Sequence, residues 1–213
     1  ADWSVGTQFV VLMRSNPSNE MSASTETAGA GSFEEEAAEV YFTHKRLGTL
    51  WLGQGETATN GISETDLSGT SVAGYSSVGD LAGGFAFVTS ATGARSSATI
   101  GGAADNLDGL DVADRIRYDS PEINGFHLST SLLDSGIIDA ALYYSGDVSG
   151  ITVEAAAGWY NGSGNTDAFT DGISGSVSAL APSGFSLTLA AGTKSSATQG
   201  RDDPKFYYGK VGY

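Results

Sequence analysis

The sequence of 213 residues contains no cysteine, two histidines and four prolines. Without cysteine, the chain can form neither a disulfide framework nor a thiolate zinc site, and it has no cysteine nucleophile. Two histidines also disfavour an imidazole metal cluster. The composition leaves the redox compartment undetermined and gives no support to cysteine or zinc enzymology.

Basic residues are scarce: 10 Lys and Arg stand against 25 Asp and Glu, for a net charge of −15 at pH 7. This charge argues against nucleic acid or an anionic membrane surface as a charge-driven partner and favours cations. No run approaches the roughly 18 consecutive apolar residues of a transmembrane helix. The chain opens at Ala1 without a charged and then apolar leader, so we expect that residues precede it, a signal peptide among the candidates.

The sequence is rich in glycine, with 30 residues, and in Ser, Thr and Ala, a composition that suits strands and tight turns. Apolar and polar residues alternate along much of the chain, which is the period of a strand. Val40, Phe42, Leu50 and Leu52, for example, alternate with polar residues about a Lys-Arg-Leu-Gly turn. We therefore predict a single all-β domain over 1–213. The predicted strands are Trp3–Arg14, Ala37–Lys45, Thr49–Gln54, Asp114–Ser120, Phe126–Leu133, Ile138–Ser145, Ile151–Tyr160, Gly172–Ala181, Phe185–Thr193 and Lys205–Tyr213.

Short and long connections alternate between these strands. Segments 121–125 and 146–150 are short and rich in turn residues, whereas others are long and polar. The stretch 15–36, with three consecutive glutamates, is predicted as an exposed loop. The stretch 55–110 is far longer than the loops of a compact domain. We expect it to fold inward or back on itself, with a short apolar piece at Phe85–Val88.

The apolar face of such a sheet meets either lipid or a second protein layer, and periodicity alone does not separate the two. Three features favour lipid: predicted strands of about 8 to 10 residues, short turns alternating with long loops, and aromatic residues near strand ends, as in interfacial girdles. We therefore predict an antiparallel transmembrane β-barrel. Its predicted aromatic belt includes Trp3, Tyr118, Phe126, Trp159 and Tyr207.

Three segments carry a resemblance to a known family: AEVYFTHKRLGTLWLGQG, DRIRYDSPEINGFHLSTSLLD and ALYYSGDVSGITVEAAAGWY. Their order, with a long insertion between the first two, resembles the Gram-negative general porins over about Trp3–Tyr213. The matching motifs are the Lys-Arg-Leu-Gly-Thr-Leu turn at 45–50, the Leu-Gly-Gln strand end at 52–54, the Arg-Tyr-Asp-Ser-Pro turn at 117–121, and the Gly-Phe pair at 125–126.

The resemblance implies a trimeric outer-membrane barrel of about 16 strands, with residues 55–110 folded into the lumen as a constriction loop. It implies a passive channel for small hydrophilic solutes and ions, not an enzyme, in contact with outer-membrane lipid and lipopolysaccharide. This chain has about ten predicted strands and ends at KFYYGKVGY rather than at the terminal Phe of the family. We therefore expect an internal fragment lacking strands at both ends.

In such a channel, charges on opposite walls of a wet constriction filter ions and align dipolar solutes. The resemblance places carboxylates on the infolded loop and basic groups on the wall opposite. The acidic candidates are Glu56, Glu64, Asp66 and Asp80, and the basic candidates are Arg115, Arg117 and Lys45, the last on the wet face of its strand.

Arg115 and Arg117 lie two apart on one predicted strand and so share a face, with Ile116 and Tyr118 pointing to lipid. An alternative is that both arginines pair with neighbouring carboxylates or meet solvent, and that the loop acids are simply solvated. Because acids outnumber bases, we expect mild cation selectivity.

The return of the loop carries Asp105, Asp108 and Asp111, which suggest a calcium site as a side hypothesis. Their spacing lacks the regular ligands and closing Glu of a helix-loop-helix site. No order of Ser, His and acid matches a catalytic frame. The alternative function is that of a soluble or surface-displayed β-sandwich that binds a partner through its long loops.

Overall fold

The computed structural model describes residues 2–14, 32–134, 136–161, 169–198 and 200–213, and strands dominate it. Every predicted strand is present, so the all-β class is confirmed. In chain order the elements are β1 (Trp3–Arg14), β2 (Ser32–His44), β3 (Gly48–Glu56), α1 (Val78–Ala82), β4 (Ala86–Val88), β5 (Arg95–Thr99), α2 (Ile100–Ala103), β6 (Val112–Asp119), β7 (Phe126–Leu133), β8 (Ile138–Val148), β9 (Ile151–Asn161), β10 (Phe169–Leu180), β11 (Ser186–Ser196) and β12 (Lys205–Gly212).

Ten strands form one antiparallel sheet in the order β1-β2-β3-β6-β7-β8-β9-β10-β11-β12. Each strand pairs with the next along the chain except at the step from β3 to β6, which residues 57–111 connect. Within that connection β4 and β5 pair with each other. Over the described ranges β1 and β12 are not joined, so the sheet is not closed into a barrel.

The strand β2 starts earlier than predicted. Residues Ser32–Glu35 pair with Val11–Arg14 of β1, beyond a register shift at Val10 and Val11. The prediction of an exposed loop is therefore wrong for 32–36, while 15–31 lie outside the described residues. A charged run can form a strand when its side chains stay in solvent, and the side chains of Glu34 and Glu35 are exposed.

The tight connections 45–47, 120–125, 149–150 and 181–185 all lie at one end of the strands. This end of the sheet is here named the turn edge. At the tightest, Val148 pairs directly with Ile151. The two residues between them, Ser149 and Gly150, have φ values of 57° and 85°. Positive φ at both central positions is the geometry of a two-residue hairpin turn, which glycine adopts without strain. The opposite edge, the loop edge, carries the long connection from β3 to β6.

The two faces of the sheet differ sharply in polarity. One, the apolar face, bears exposed large side chains along its strands, among them Ile116, Leu128, Leu142 and Leu189, each about half exposed. The other, the polar face, bears small and hydrophilic side chains, and residues of the β3–β6 connection cover much of it. Among the described residues, those that are buried are more often polar than apolar. This is the reverse of a water-soluble domain, which buries its apolar face.

Neither short helix in the described part of the chain is long and apolar enough to cross a membrane.

Candidate functional site

Residues 57–68, here named the strap, cross the polar face, with turns over 58–63. Its first part lies over β7 and β8. The backbone N–H of Ala58 donates to Ser131 Oγ at 2.7 Å. Thr59 donates twice to Asp139 Oδ2, from its backbone N–H at 2.9 Å and from its hydroxyl at 2.7 Å. Side chains of the sheet's polar face, the face here also called the wall, thus accept the hydrogen bonds that a neighbouring strand would otherwise accept.

The middle of the strap lies over β10, where two serines replace a backbone partner. Ser176 Oγ accepts from the N–H of Thr65 at 3.0 Å and donates to the carbonyl of Ile62 at 2.7 Å. Ser178 Oγ accepts from the N–H of Leu67 at 2.9 Å. Both serines are buried, so these bonds exclude solvent from the contact.

The end of the strap reaches β12 through a partly buried ion pair. Lys210 Nζ lies 2.8 Å from an Asp66 carboxylate oxygen and also donates to the carbonyl of Gly74 at 2.6 Å. Burial alone would raise the pKa of Asp66, but hydrogen bonds from Lys210 and Ser68 lower it. Asp66, predicted to line a constriction, is therefore neutralised by the wall.

A small apolar cluster lies beneath the strap. Ile62 is fully buried against Ala141 and Ala156, with Tyr143 packed beside them. Gly158 permits this approach, because a Cβ there would lie 2.8 Å from a Thr59 methyl and 2.9 Å from the tip of Ile62. The small residues of β8 and β9 therefore make room for the strap.

The return limb of the connection, residues 106–111, binds the strap directly. The hydroxyl of Thr57 donates to the carbonyl of Leu110 at 2.7 Å, and the N–H of Leu110 donates to Thr59 Oγ1 at 3.0 Å. Asp108 accepts from the N–H groups of Gly61 and Ser63, each at 2.7 Å. The two limbs form one hydrogen-bonded unit.

Beside this unit lies an acidic pocket of about 360 Å³, whose carboxylates come from the strap, from α1 and from residues 105–111. Glu64 accepts from Asn106 Nδ2 at 2.8 Å. Burial, reinforced by the carboxylates of Asp108 and Asp80, raises the pKa of Glu64 to about 7 from its ordinary 4.5. Burial also raises the pKa of Asp108, against its backbone hydrogen bonds. The pocket is lined by Asn60, Glu64, Ser77, Asp80, Asp105, Asn106, Asp108, Gly109, Asp111 and Lys194.

Arg115 on β6 is buried, and all three of its guanidinium nitrogens donate hydrogen bonds. Its Nη2 lies 2.5 Å from Glu39 Oε2 of β2, and the two side chains are only 2% and 5% exposed. Its other nitrogens donate to the carbonyls of Gly53 and Glu56 at 3.2 Å and 2.9 Å. Arg115 therefore binds the root of the strap to the wall.

Arg117, two residues further along the same face, is partly exposed. Its Nε donates to Asp119 at 2.8 Å and to Ser129 at 3.0 Å. Its Nη1 donates to the carbonyls of Glu56 and Thr57 at 3.3 Å and 3.1 Å. The pairing with a neighbouring carboxylate, considered above as an alternative, is present for Arg117.

The two arginines border a second, mixed-charge pocket of about 240 Å³ over β1, β2, β3 and β6. Of the predicted acidic residues, Glu56 lies here with the arginines, whereas Glu64 and Asp80 lie in the acidic pocket. Glu56 is therefore the predicted acid that shares a pocket with the predicted basic residues Arg115 and Arg117. The carboxylates around this pocket are Glu36, Glu39 and Glu56.

The prediction that Lys45 lies on the wet face of its strand is wrong. β2 ends at His44, and Lys45 is exposed in the turn that follows. This turn is at the opposite edge of the sheet from Glu56. The alternation in 39–44 runs into the turn without a break in polarity, which is why the pattern alone extended the strand by one residue.

The calcium candidates are engaged by backbone groups. Asp105 accepts from the N–H of Leu107 and Asp111 from that of Val112, each at 2.8 Å, while Asp108 binds the strap. Within the described ranges, no group of three or more His, Cys, Asp or Glu side chains is arranged to hold a metal ion.

The predicted belt aromatics are all exposed on the apolar face. Trp3, Tyr118 and Phe126 lie near the turn edge, where Trp3 pairs with the last residue of β2. Trp159 and Tyr207 lie towards the loop edge. The two rows are separated by the aliphatic middle of the strands.

Sequence reasoning missed the wall residues that anchor the strap. They are ordinary in sequence, since serines on the polar face of a strand carry no distinctive spacing. The one available signal was Asp139, an acidic residue between apolar residues at the start of a predicted strand. The missed residues are Ser131, Asp139, Tyr143, Ser176, Ser178 and Lys210.

Comparisons with protein-family models, with curated proteins and with solved structures returned no match.

Proposed function

We propose that this chain forms the wall of a water-filled outer-membrane channel through which small hydrophilic solutes and ions diffuse passively. One observation carries the proposal: ten adjacent strands expose an apolar face while a strap of the same chain lies on their polar face. In a soluble β-sandwich the apolar face would be the buried one. The resemblance to general porins supports the same function.

The exposed apolar face favours lipid as its solvent. Removing a Val, Leu, Ile or Phe side chain from water lowers the free energy by about 1.5 to 3 kcal/mol. Such side chains recur on the same face from β1 to β12, including Val5, Ile116, Leu142 and Val211. An uncovered apolar surface of this extent on a soluble protein would drive association. The two rows of aromatics are placed as interfacial girdles are.

A barrel in lipid has no unpaired strand edge, because backbone groups in hydrocarbon must be hydrogen-bonded. In the proposed channel, therefore, the outer edges of β1 and β12 are both paired and the polar face encloses water. Assembly into homotrimers and a complement of about 16 strands belong to the proposal through the resemblance alone.

The charges of the polar face favour cations over anions. The acidic pocket is lined by five acidic residues and one basic residue, Lys194, and Arg115 is neutralised by Glu39. Fixed charges of one sign along a wet path raise the local concentration of the opposite ion. The proposed channel is therefore mildly cation-selective.

The test is a reversal-potential measurement on the folded protein in a planar bilayer under a potassium chloride gradient. We expect discrete, long-lived conductance steps and a reversal potential of the sign for cation preference. Clear anion preference would contradict the charge argument. Absence of any conductance from protein that has inserted as a folded barrel would contradict the channel itself.

A further inference from the structure

Asp139 occupies an unusual position for a charged residue. It lies at the start of β8 on the polar face and is fully buried. Its carboxylate accepts three hydrogen bonds, two from Thr59 and one at 2.9 Å from the N–H of Ser131. All three donors are uncharged groups. A buried carboxylate is costly unless its oxygens are satisfied, so Asp139 and the strap stabilise each other.

Thr59, which donates to Asp139, also contacts the return limb. Its hydroxyl donates to Asp139 and accepts from the N–H of Leu110 on the return limb. Gly109 packs so closely on Thr59 that a Cβ there would lie 2.2 Å from the Thr59 carbonyl oxygen. The next residue back, Asp108, binds the strap at Gly61 and Ser63. The position of Asp139 is therefore transmitted to both limbs.

We infer that Asp139 is the positioning residue for the acidic pocket, and that it sets cation selectivity by fixing where the carboxylates of Glu64, Asp108 and Asp111 stand. The chain of contacts runs from the wall through Thr59 to Leu110 and Asp108. Asp139 acts through these residues and does not itself line the pocket. The effect on cation selectivity rests on the proposed function. The positioning of the strap and return limb by Asp139 does not.

Two substitutions at Asp139 separate its hydrogen bonds from its volume. Asp139→Ala removes both acceptor oxygens and with them all three hydrogen bonds. Asp139→Asn keeps the shape but replaces one acceptor oxygen by an N–H₂ group, so either the bond from Ser131 or both bonds from Thr59 are lost. Losing a hydrogen bond to a charged acceptor corresponds to about a tenfold or larger rise in the population of the undocked strap.

A matched control is Ser174→Ala. Ser174 is buried on the polar face of β10, and its hydroxyl has no hydrogen-bond partner among the described residues. Ser131→Ala provides an independent variant, because it removes the bond to Ala58 without touching the carboxylate. It also keeps the inference testable if Asp139→Ala fails to fold.

The experiment measures amide hydrogen exchange in the folded, detergent-solubilised full chain and, on the same samples, reversal potential and open-channel noise in planar bilayers. We expect faster exchange over 57–63 and 107–111, greater noise and a reversal potential nearer zero for both Asp139 variants. Ser131→Ala should shift each quantity in the same direction by less, and Ser174→Ala should match the original protein.

Unchanged exchange over 57–63 in the Asp139 variants would overturn the positioning role. Faster exchange with an unchanged reversal potential would overturn the link to selectivity. If the original protein exchanges as expected but conducts nothing, the proposed function fails, and the exchange data still decide whether Asp139 positions the two limbs.

Discussion

Arg115 and Glu39 remain paired although the sheet buries both side chains. A buried charge is tolerated when it is both paired and hydrogen-bonded, and Arg115 donates to two carbonyl groups in addition to Glu39. The alternation of β6 predicted which face this arginine occupies. It did not predict that its partner would be 76 residues away on β2. At this scale, a residue type and its face are local properties, whereas its partner is not.

Glu64 gives the residue-scale prediction, because its pKa is raised to about 7 by burial and by Asp108, Asp80 and Asp111. A carboxyl group with a raised pKa in the folded state stabilises that state below its unfolded pKa, and this contribution is lost as pH rises through the folded value. We therefore expect the contact between strap and return limb to loosen as pH rises from about 4.5 to 7.

The measurement is amide exchange over 57–68 and 105–111 at a series of pH values, corrected for intrinsic exchange. Glu64→Gln, which stays neutral, should remove most of the pH dependence. Glu122→Gln, at an exposed position in the turn after β6, is the control and should keep it. A pH dependence that survives in Glu64→Gln would assign the effect to another group.

Among the elements, the hairpin of β8 and β9 offers the cleanest prediction. Gly150 has a φ of 85° and open space around it, so a methyl group there meets backbone strain and no clash. Gly150→Ala should therefore lower the free energy of unfolding by about 1 kcal/mol. Gly74→Ala is the matched control, because Gly74 also has open space and no positive φ is recorded for it. Urea titration of both variants measures the difference, and equal midpoints would contradict the assigned turn geometry.

Strands and turns were the elements that sequence predicted well, since both depend on neighbouring residues. Period-2 alternation identified every strand of the large sheet, and errors were confined to ends, as at Ser32–Glu36 and Lys45. The strap was predicted only as an inward fold of 55–110. Its route across β7, β8, β10 and β12 depends on serines whose sequence context is unremarkable.

At the scale of the whole molecule, the exposed apolar face predicts that the protein needs detergent or lipid to stay dispersed. We expect aggregation on detergent removal and a folded form that migrates differently on a gel before and after heating. The physical reason is that an apolar face spanning ten strands has no cover among the described residues. A monodisperse, detergent-free solution with unchanged migration would favour the soluble, partner-binding alternative.

The sequence alone determined the all-β class, the strands, the alternation of two faces and the exclusion of disulfides and thiolate zinc sites, because these follow from composition and from a period of two residues. Only the tertiary structure decided which acids share a pocket, that Asp66 is paired with Lys210, and that Thr59 binds Asp139 80 residues away. Such contacts depend on how the registers of several strand pairs combine, and no local sequence pattern specifies that combination.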